Sequence, residues 1–254
     1  MRIAAIYDIH GNLPALEAVL DDIRQAEVDC VVVGGDVILG PMSREALACL
    51  LALDIPTRFI RGNCEVAVLA EMAGKNPAVP VQIREIVRWT ARQLHPEHEQ
   101  LLANWPSTIR FHVPGLGEVL FCHATPRNEN EIFTRLTPEE RVVPVFEGLT
   151  TTMVICGHTH MQFDRMIGKI RVVNAGSVGM PFGKTGADWL LLGPGVQYQH
   201  TSYDLKKAAE RIRATTYPQA QEFAQQYVLN SPSEREMLEV FTRGEIGTPK
   251  NATT

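Results

Sequence analysis

Apolar and polar positions along this chain alternate between two periods. Short apolar runs at Arg2–Tyr7, Asp29–Val33 and Pro56–Ile60 read as buried strands, each rich in β-branched or aliphatic residues. Between them lie helical stretches. Leu13, Leu16, Val19, Leu20 and Ile23 fall on one face of a helix over Leu13–Glu27, and Ser43–Leu53 is a second helix with Ser43 as its expected N-cap. Strand and helix in alternation predict a mostly parallel sheet for this first third.

Beyond it, residues 64–106 read as helical, broken at Pro77, Pro80 and Pro96. Thr108–Val113 and Glu118–Cys122 form a hairpin around Pro114-Gly115-Leu116-Gly117. A helix over Thr137–Glu147 opens Thr-Pro-Glu-Glu, and Thr151–Cys156 is the next strand. Met161–Ile167, Ile170–Val173, Asp188–Leu192 and Val196–His200 follow as short strands with glycine turns. From Tyr203 the pattern is helical and polar. No repeat or low-complexity linker divides the chain, so residues 1–245 are expected to form one domain. Within it, 76–105 is a candidate cap, 203–245 a helical extension, and 246–254 is expected to be disordered.

Against this pattern, the polar exceptions recur at one kind of place: the carboxyl end of a strand. Strand one ends in Asp8-Ile9-His10, strand two in Gly35-Asp36 and strand three in Gly62-Asn63-Cys64-Glu65. The strand Glu118–Cys122 is followed by His123. "VICGHTHM" ends the strand Thr151–Cys156 in His158 and His160, side chains that share a face if the backbone stays extended. Each has a plainer reading alone: helix cap, turn residue, core histidine, chance alternation. Together they place seven oxygen- and nitrogen-bearing side chains where open α/β sheets build sites. Mixed imidazole and carboxylate suits manganese, iron or zinc better than calcium or magnesium.

In that order, these segments resemble the motif series of the calcineurin-like metallophosphoesterase superfamily: D-x-H, G-D, G-N-H-[DE], a histidine after a strand, and G-H-x-H. "DIHGNLPALEAVL" and "NAGSVGMPFG" also resemble its small prokaryotic phosphodiesterase branch, and the likeness spans roughly residues 1–200. It implies an α/β fold of two β-sheets packed face to face with helices outside, a four-layer sandwich. It implies two divalent metals, manganese first, with Asp8, His10 and His160 on one, Asn63, His123 and His158 on the other, and Asp36 bridging. Two metals ~3.5–4 Å apart would explain the paired histidines, one to each ion. A bridging hydroxide would then attack phosphorus in line, with Asp36, Asn63 and His123 the residues nearest the chemistry.

Cys64 departs from the pattern, standing where many relatives carry a histidine that protonates the leaving group or holds substrate. A thiol is a weak donor with a pKa near ~8.5. The site therefore either needs little help with its leaving group or has another donor, and Cys64 otherwise packs beneath it. Arg127 is a candidate phosphate clamp, or a loop salt-bridge partner of Glu129 or Glu131. Asn12 is a candidate substrate contact, or the cap of the first helix. His95 and His98 read as surface residues and Trp89 as core.

Composition narrows the classes. The chain has 254 residues, net charge −5 and no basic stripe, which disfavours nucleic acid as a partner. Its longest apolar run, Leu47–Leu53, is too short to span a bilayer, so no membrane partner is expected. No leader peptide is read, and five cysteines, an odd number, fit free thiols in the cytoplasm. A small phosphate ester or nucleotide is the expected substrate, and a homo-oligomer is compatible with the sequence. The leading expectation is a phosphodiesterase. A dinucleoside polyphosphate hydrolase, a protein phosphatase and a non-catalytic metal-binding scaffold stand as alternatives. A dinucleotide-binding Rossmann site fails because Gly34-Gly35-Asp36 lacks the G-x-G-x-x-G spacing.

Overall fold

The computed structural model describes residues 1–248. Ten strands form two five-stranded sheets. The first has the order β10 (Val196–Thr201), β9 (Ala187–Leu192), β1 (Ile3–Ile6), β2 (Cys30–Val33), β3 (Thr57–Phe59). The second runs β4 (Thr108–Val113), β5 (Gly117–Cys122), β6 (Met153–Cys156), β8 (Ile170–Asn174), β7 (Phe163–Ile167). The prediction of a mostly parallel sheet holds for β1, β2 and β3, but each complete sheet contains two parallel and two antiparallel pairs. The late strands return as hairpins joined by glycine turns, and a hairpin can only pair antiparallel.

Alternation within the strands makes the layers. Ile3, Ala5 and Tyr7 face the second sheet and pack with Phe121, Ile155 and Val173. Ala4 and Ile6 point the other way, into a core shared with α1 (Leu13–Gln25) and α2 (Ser43–Leu51). Leu120, Val154 and Val172 cover the outer face of the second sheet, against α6 (Glu139–Phe146). The central strands β1, β2 and β6 are thus buried on both faces, which explains why they read as continuous apolar runs.

The predicted helical stretch at 64–106 begins one residue earlier and divides into α3 (Asn63–Met72), a 3₁₀ turn (Val81–Ile83), α4 (Arg84–Gln93) and α5 (Pro96–Ala103). Ser43 is the first residue of α2 rather than its cap. Its hydroxyl donates to Gly40 O instead, and Met42 holds the cap position without a side-chain bond. The extension comprises α7 (Leu205–Arg213), α8 (Ala220–Phe223) running into one π-helical turn (Ala224–Leu229), and α9 (Glu234–Thr242). Asp204 caps α7 by accepting from Lys207 N, and Ser233 caps α9. Ile246, expected in a disordered tail, instead packs on the α6 core and donates its N–H to Ile132 O at 2.9 Å. The rest of that expected tail, 249–254, lies outside the described residues. No described helix is long and apolar enough to cross a membrane.

Candidate metal centre

The backbone turns left-handed after three of the five ligand-bearing strands, β1, β2 and β6. Asp8, His10, Asp36, His158 and His160 all have positive φ, between 47° and 68°. Among the described residues only two other non-glycine residues do, Glu27 and Leu39. Left-handed backbone costs a non-glycine residue of order 1 kcal/mol, so the strain is concentrated at the site. This corrects the extended reading of His158 and His160. The strand ends at Cys156, and the loop curls so that the two rings diverge.

His160 joins Asp8 and His10 in one group of potential ligands, and His158 joins Asp36 and His123 in another. Within these groups, His160 Nε2 lies 3.4 Å from Asp8 Oδ1 and 3.1 Å from His10 Nε2. Asp36 Oδ2 sits between the groups, 3.8 Å from His10 Nε2 and 3.5 Å from His123 Nε2. Asn63 Oδ1 is 2.9 Å from His123 Nε2. All seven predicted metal ligands thus converge on one place.

The donor set suits divalent cations. Asp8 Oδ1 and His158 Nε2 are buried with no hydrogen-bond partner. Nδ1 of His123 donates to Gly34 O and Nδ1 of His160 to Met180 O, both at 2.9 Å, so their Nε2 lone pairs face the cluster. Buried carboxylates facing imidazole nitrogens call for positive charge, which a bound cation would supply and which a proton on His123 supplies without one. The electrostatics agree. Burial lowers His10 to about 4, helped by His160, and lowers His158 to about 4, helped by His123. Burial would also lower His123, but Asp36 and Asp8 overcome it and raise the ring to about 10. Burial would raise Asp8 and Asp36, yet the surrounding histidines hold both carboxyls below their usual range. The two carboxylates draw positive charge onto the imidazole between them.

Glycines and one acid make this packing possible. A Cβ on Gly157 would lie 2.4 Å from Asp8 Oδ2, and one on Gly62 2.2 Å from Asp36 Oδ1. Glu65, the acid of the third motif, is wholly buried and accepts from the N–H groups of Gly62, Asp36, Val37 and Ile38 at 2.7–3.3 Å. It clamps the β2 loop to the start of α3. Burial and the Asp36 charge push its carboxyl up, to about 7, while those donors oppose the shift. Asn174 donates to Gly157 O and Thr159 Oγ1, and Ser177 donates to Asp8 O, so the "NAGS" segment braces two ligand loops. Sequence reading gave Glu65, Asn174 and Ser177 no role. The available signal was Glu65 at the third position of a helix that opens Gly62-Asn63.

The candidate substrate contacts are distributed differently. Cys64 faces the site: its thiol donates to Asp36 Oδ2 at 3.0 Å, and its N–H, at the start of α3, donates to Asp36 Oδ1 at 2.8 Å. Burial and the Asp36 charge push the thiol well above its ordinary pKa. Asn12 is fully buried and caps α1, accepting from Ala15 N and donating to Gly179 O and the Tyr203 hydroxyl; both its N–H donors are taken within the protein, leaving none for substrate. Arg127 makes a bidentate pair with Glu131 at 2.6–3.0 Å and lines a separate cavity of about 660 Å³ that contains none of the ligands. The salt-bridge reading is the one its geometry supports.

The ligand cavity itself is about 340 Å³. One wall carries His10, Asp36, Asn63, Cys64, His158 and His160. The opposite wall is largely the extension, with Tyr217, Phe223, Tyr227 and Phe241. Of the candidate cap at 76–105, only Ile83 and Ile86 reach it.

Comparison with known proteins agrees with this geometry. The chain is 29% identical over 241 residues to an uncharacterised protein of Methanocaldococcus jannaschii, covering 85% of this chain and 94% of that one. Its fold is similar to that of a hypothetical protein from Pyrococcus horikoshii (TM-score 0.76, 21% identity, 91% of this chain and 99% of that one). It is also similar to a metallophosphoesterase from Sphaerobacter thermophilus (TM-score 0.69, 25% identity, 89% and 97%). Residues 1–193, which carry every ligand described above, match the model of the calcineurin-like phosphoesterase superfamily domain. The chain therefore belongs to the calcineurin-like phosphoesterase superfamily and is a metal-dependent hydrolase of phosphoester bonds.

Proposed function

We propose that the protein is a phosphodiesterase acting on a small phosphate ester or nucleotide with two divalent ions, manganese first. Asp8, His10 and His160 would hold one ion, Asn63, His123 and His158 the other, with Asp36 shared. The observation that carries this reading is the position of Asp36 Oδ2, within 4 Å of an imidazole nitrogen from each group. When bound, such ions lower the pKa of a water nucleophile and neutralise charge on phosphoryl oxygens. The chain's own residues orient the centre. Gly34 O and Met180 O fix the rings of His123 and His160, and the N–H and thiol of Cys64 hold the two oxygens of Asp36. The Cys64 thiol is directed at Asp36 Oδ2, which makes it a positioning group for the shared carboxylate rather than a nucleophile. A thiol at position 64 is a weaker proton donor than the imidazolium that relatives place there, which favours esters with good leaving groups. The scaffold alternative loses ground because no ligand position is empty of a donor side chain.

The test is hydrolysis of bis-p-nitrophenyl phosphate by chelator-stripped protein, with and without added Mn²⁺, alongside Asp36→Asn. Activity returns with metal and falls about a thousandfold or more in the variant. Stoichiometric metal binding without turnover of any phosphodiester would reject the proposal.

A further inference from the structure

The wall facing the ligands lies outside the segment 1–193 that matches the superfamily. It is a connected aromatic surface. The rings of Tyr217 and Phe223 are 6.1 Å apart and those of Phe223 and Tyr227 5.6 Å. Phe241 on α9 reaches the ligands through Phe182, which stacks on His160 at 5.1 Å. Among the described residues the cavity lining contains no lysine or arginine. Apart from the ligand side chains its single charged residue is Glu222, on the exposed side of α8. Gln219 and Gln226, also exposed, are the neutral amides of this wall, and Gln226 and Tyr227 sit on the π-helical turn, a distortion frequent at functional sites.

We propose that this extension selects substrates: Tyr227 and its aromatic neighbours take a planar ring on the substituent retained at phosphorus, while Glu222 rejects charge beyond a single negative one. The proposal rests on the phosphodiesterase reading. A diester presents one negative charge, which the ligand centre alone can neutralise. A monoester dianion or a polyphosphate brings more charge, and here it meets a carboxylate and no cation. Aromatic side chains stack on any flat ring, and the Gln226 amide can bond the polar edge that a nucleobase has and a plain aryl group lacks.

The test holds the leaving group constant. Manganese-loaded full-length protein would be assayed with p-nitrophenyl esters of methyl phosphate, phenyl phosphate and thymidine 5′-monophosphate, and with p-nitrophenyl phosphate. Tyr227→Ala, at a half-buried position, raises KM about tenfold for the ring-bearing diesters, with kcat nearly unchanged and the methyl diester little affected. Glu222→Lys, at an exposed position, raises kcat/KM for the monoester about fivefold relative to the methyl diester. A thymidine ester preferred over the phenyl ester, with the preference lost in Gln226→Ala, identifies a nucleobase as the ring. Equal effects of Tyr227→Ala on all diesters, or an unchanged monoester ratio in Glu222→Lys, would overturn the proposal while leaving the phosphodiesterase reading intact. Absence of metal-dependent turnover in the wild-type protein would instead overturn that reading itself.

Discussion

The two walls of the cavity are built on opposite principles. The strand-end wall is polar, buried and over-determined: five residues hold left-handed backbone, and Glu65, Asn174 and Ser177 tie down the loops that carry them. The facing wall, from the extension, is aromatic, has one charged group, and borders solvent through Glu222 and Gln226. Reaction chemistry tolerates little displacement, so its residues are clamped. Recognition of a ring needs a surface more than a point. Strain sits in the first wall and adaptability in the second.

The comparison can be broken hardest at Glu65. Glu65→Gln replaces an acceptor of four N–H bonds with a group that has one oxygen and its own donors. Unfolding should become easier by about 2–4 kcal/mol, with weaker manganese binding. Thermal denaturation and metal titration together check this, and unchanged values in both would remove Glu65 as the clamp. Cys64→Ser keeps a donor to Asp36 in nearly the same volume, so diester hydrolysis should stay within about threefold of wild type. A loss of two orders of magnitude would show instead that the thiol itself takes part in the reaction. The smallest effect belongs to Arg127→Ala. Its exposed pair with Glu131 contributes about 0–1 kcal/mol, and kcat/KM should change by less than about twofold. A large rise in KM would return Arg127 to the substrate.

The same division separates what the sequence made legible from what it hid. Asp8, His10, Asp36, Asn63, His123, His158 and His160 were readable because each follows an apolar run whose period identifies a strand, and strand ends in such sheets converge. The way they converge was not readable. Left-handed backbone is visible in a sequence only where glycine supplies it, and here it falls on aspartate and histidine. Asn12 and Arg127 stand close to ligands along the chain and point elsewhere, because a helix cap and an acid four residues away satisfy them locally. The extension hid its role for another reason. Tyr217, Phe223 and Tyr227 have the spacing of ordinary core residues, and amphipathic periodicity reads the same whether a helix face meets a core or a cavity.

His123, His158 and His160 come from the second sheet, whereas Asp8, His10, Asp36 and Asn63 come from the first. Each ligand group draws on both sheets, and His123 is bonded across the seam to Gly34 O. The centre thus works as a gauge of sheet alignment. A slide of one sheet over the other by a single residue, ~3.3 Å, would pull every group apart at once. Core substitutions at Phe121 or Ile155, which set how the sheets seat on each other and are not themselves ligands, are therefore expected to change ion affinity.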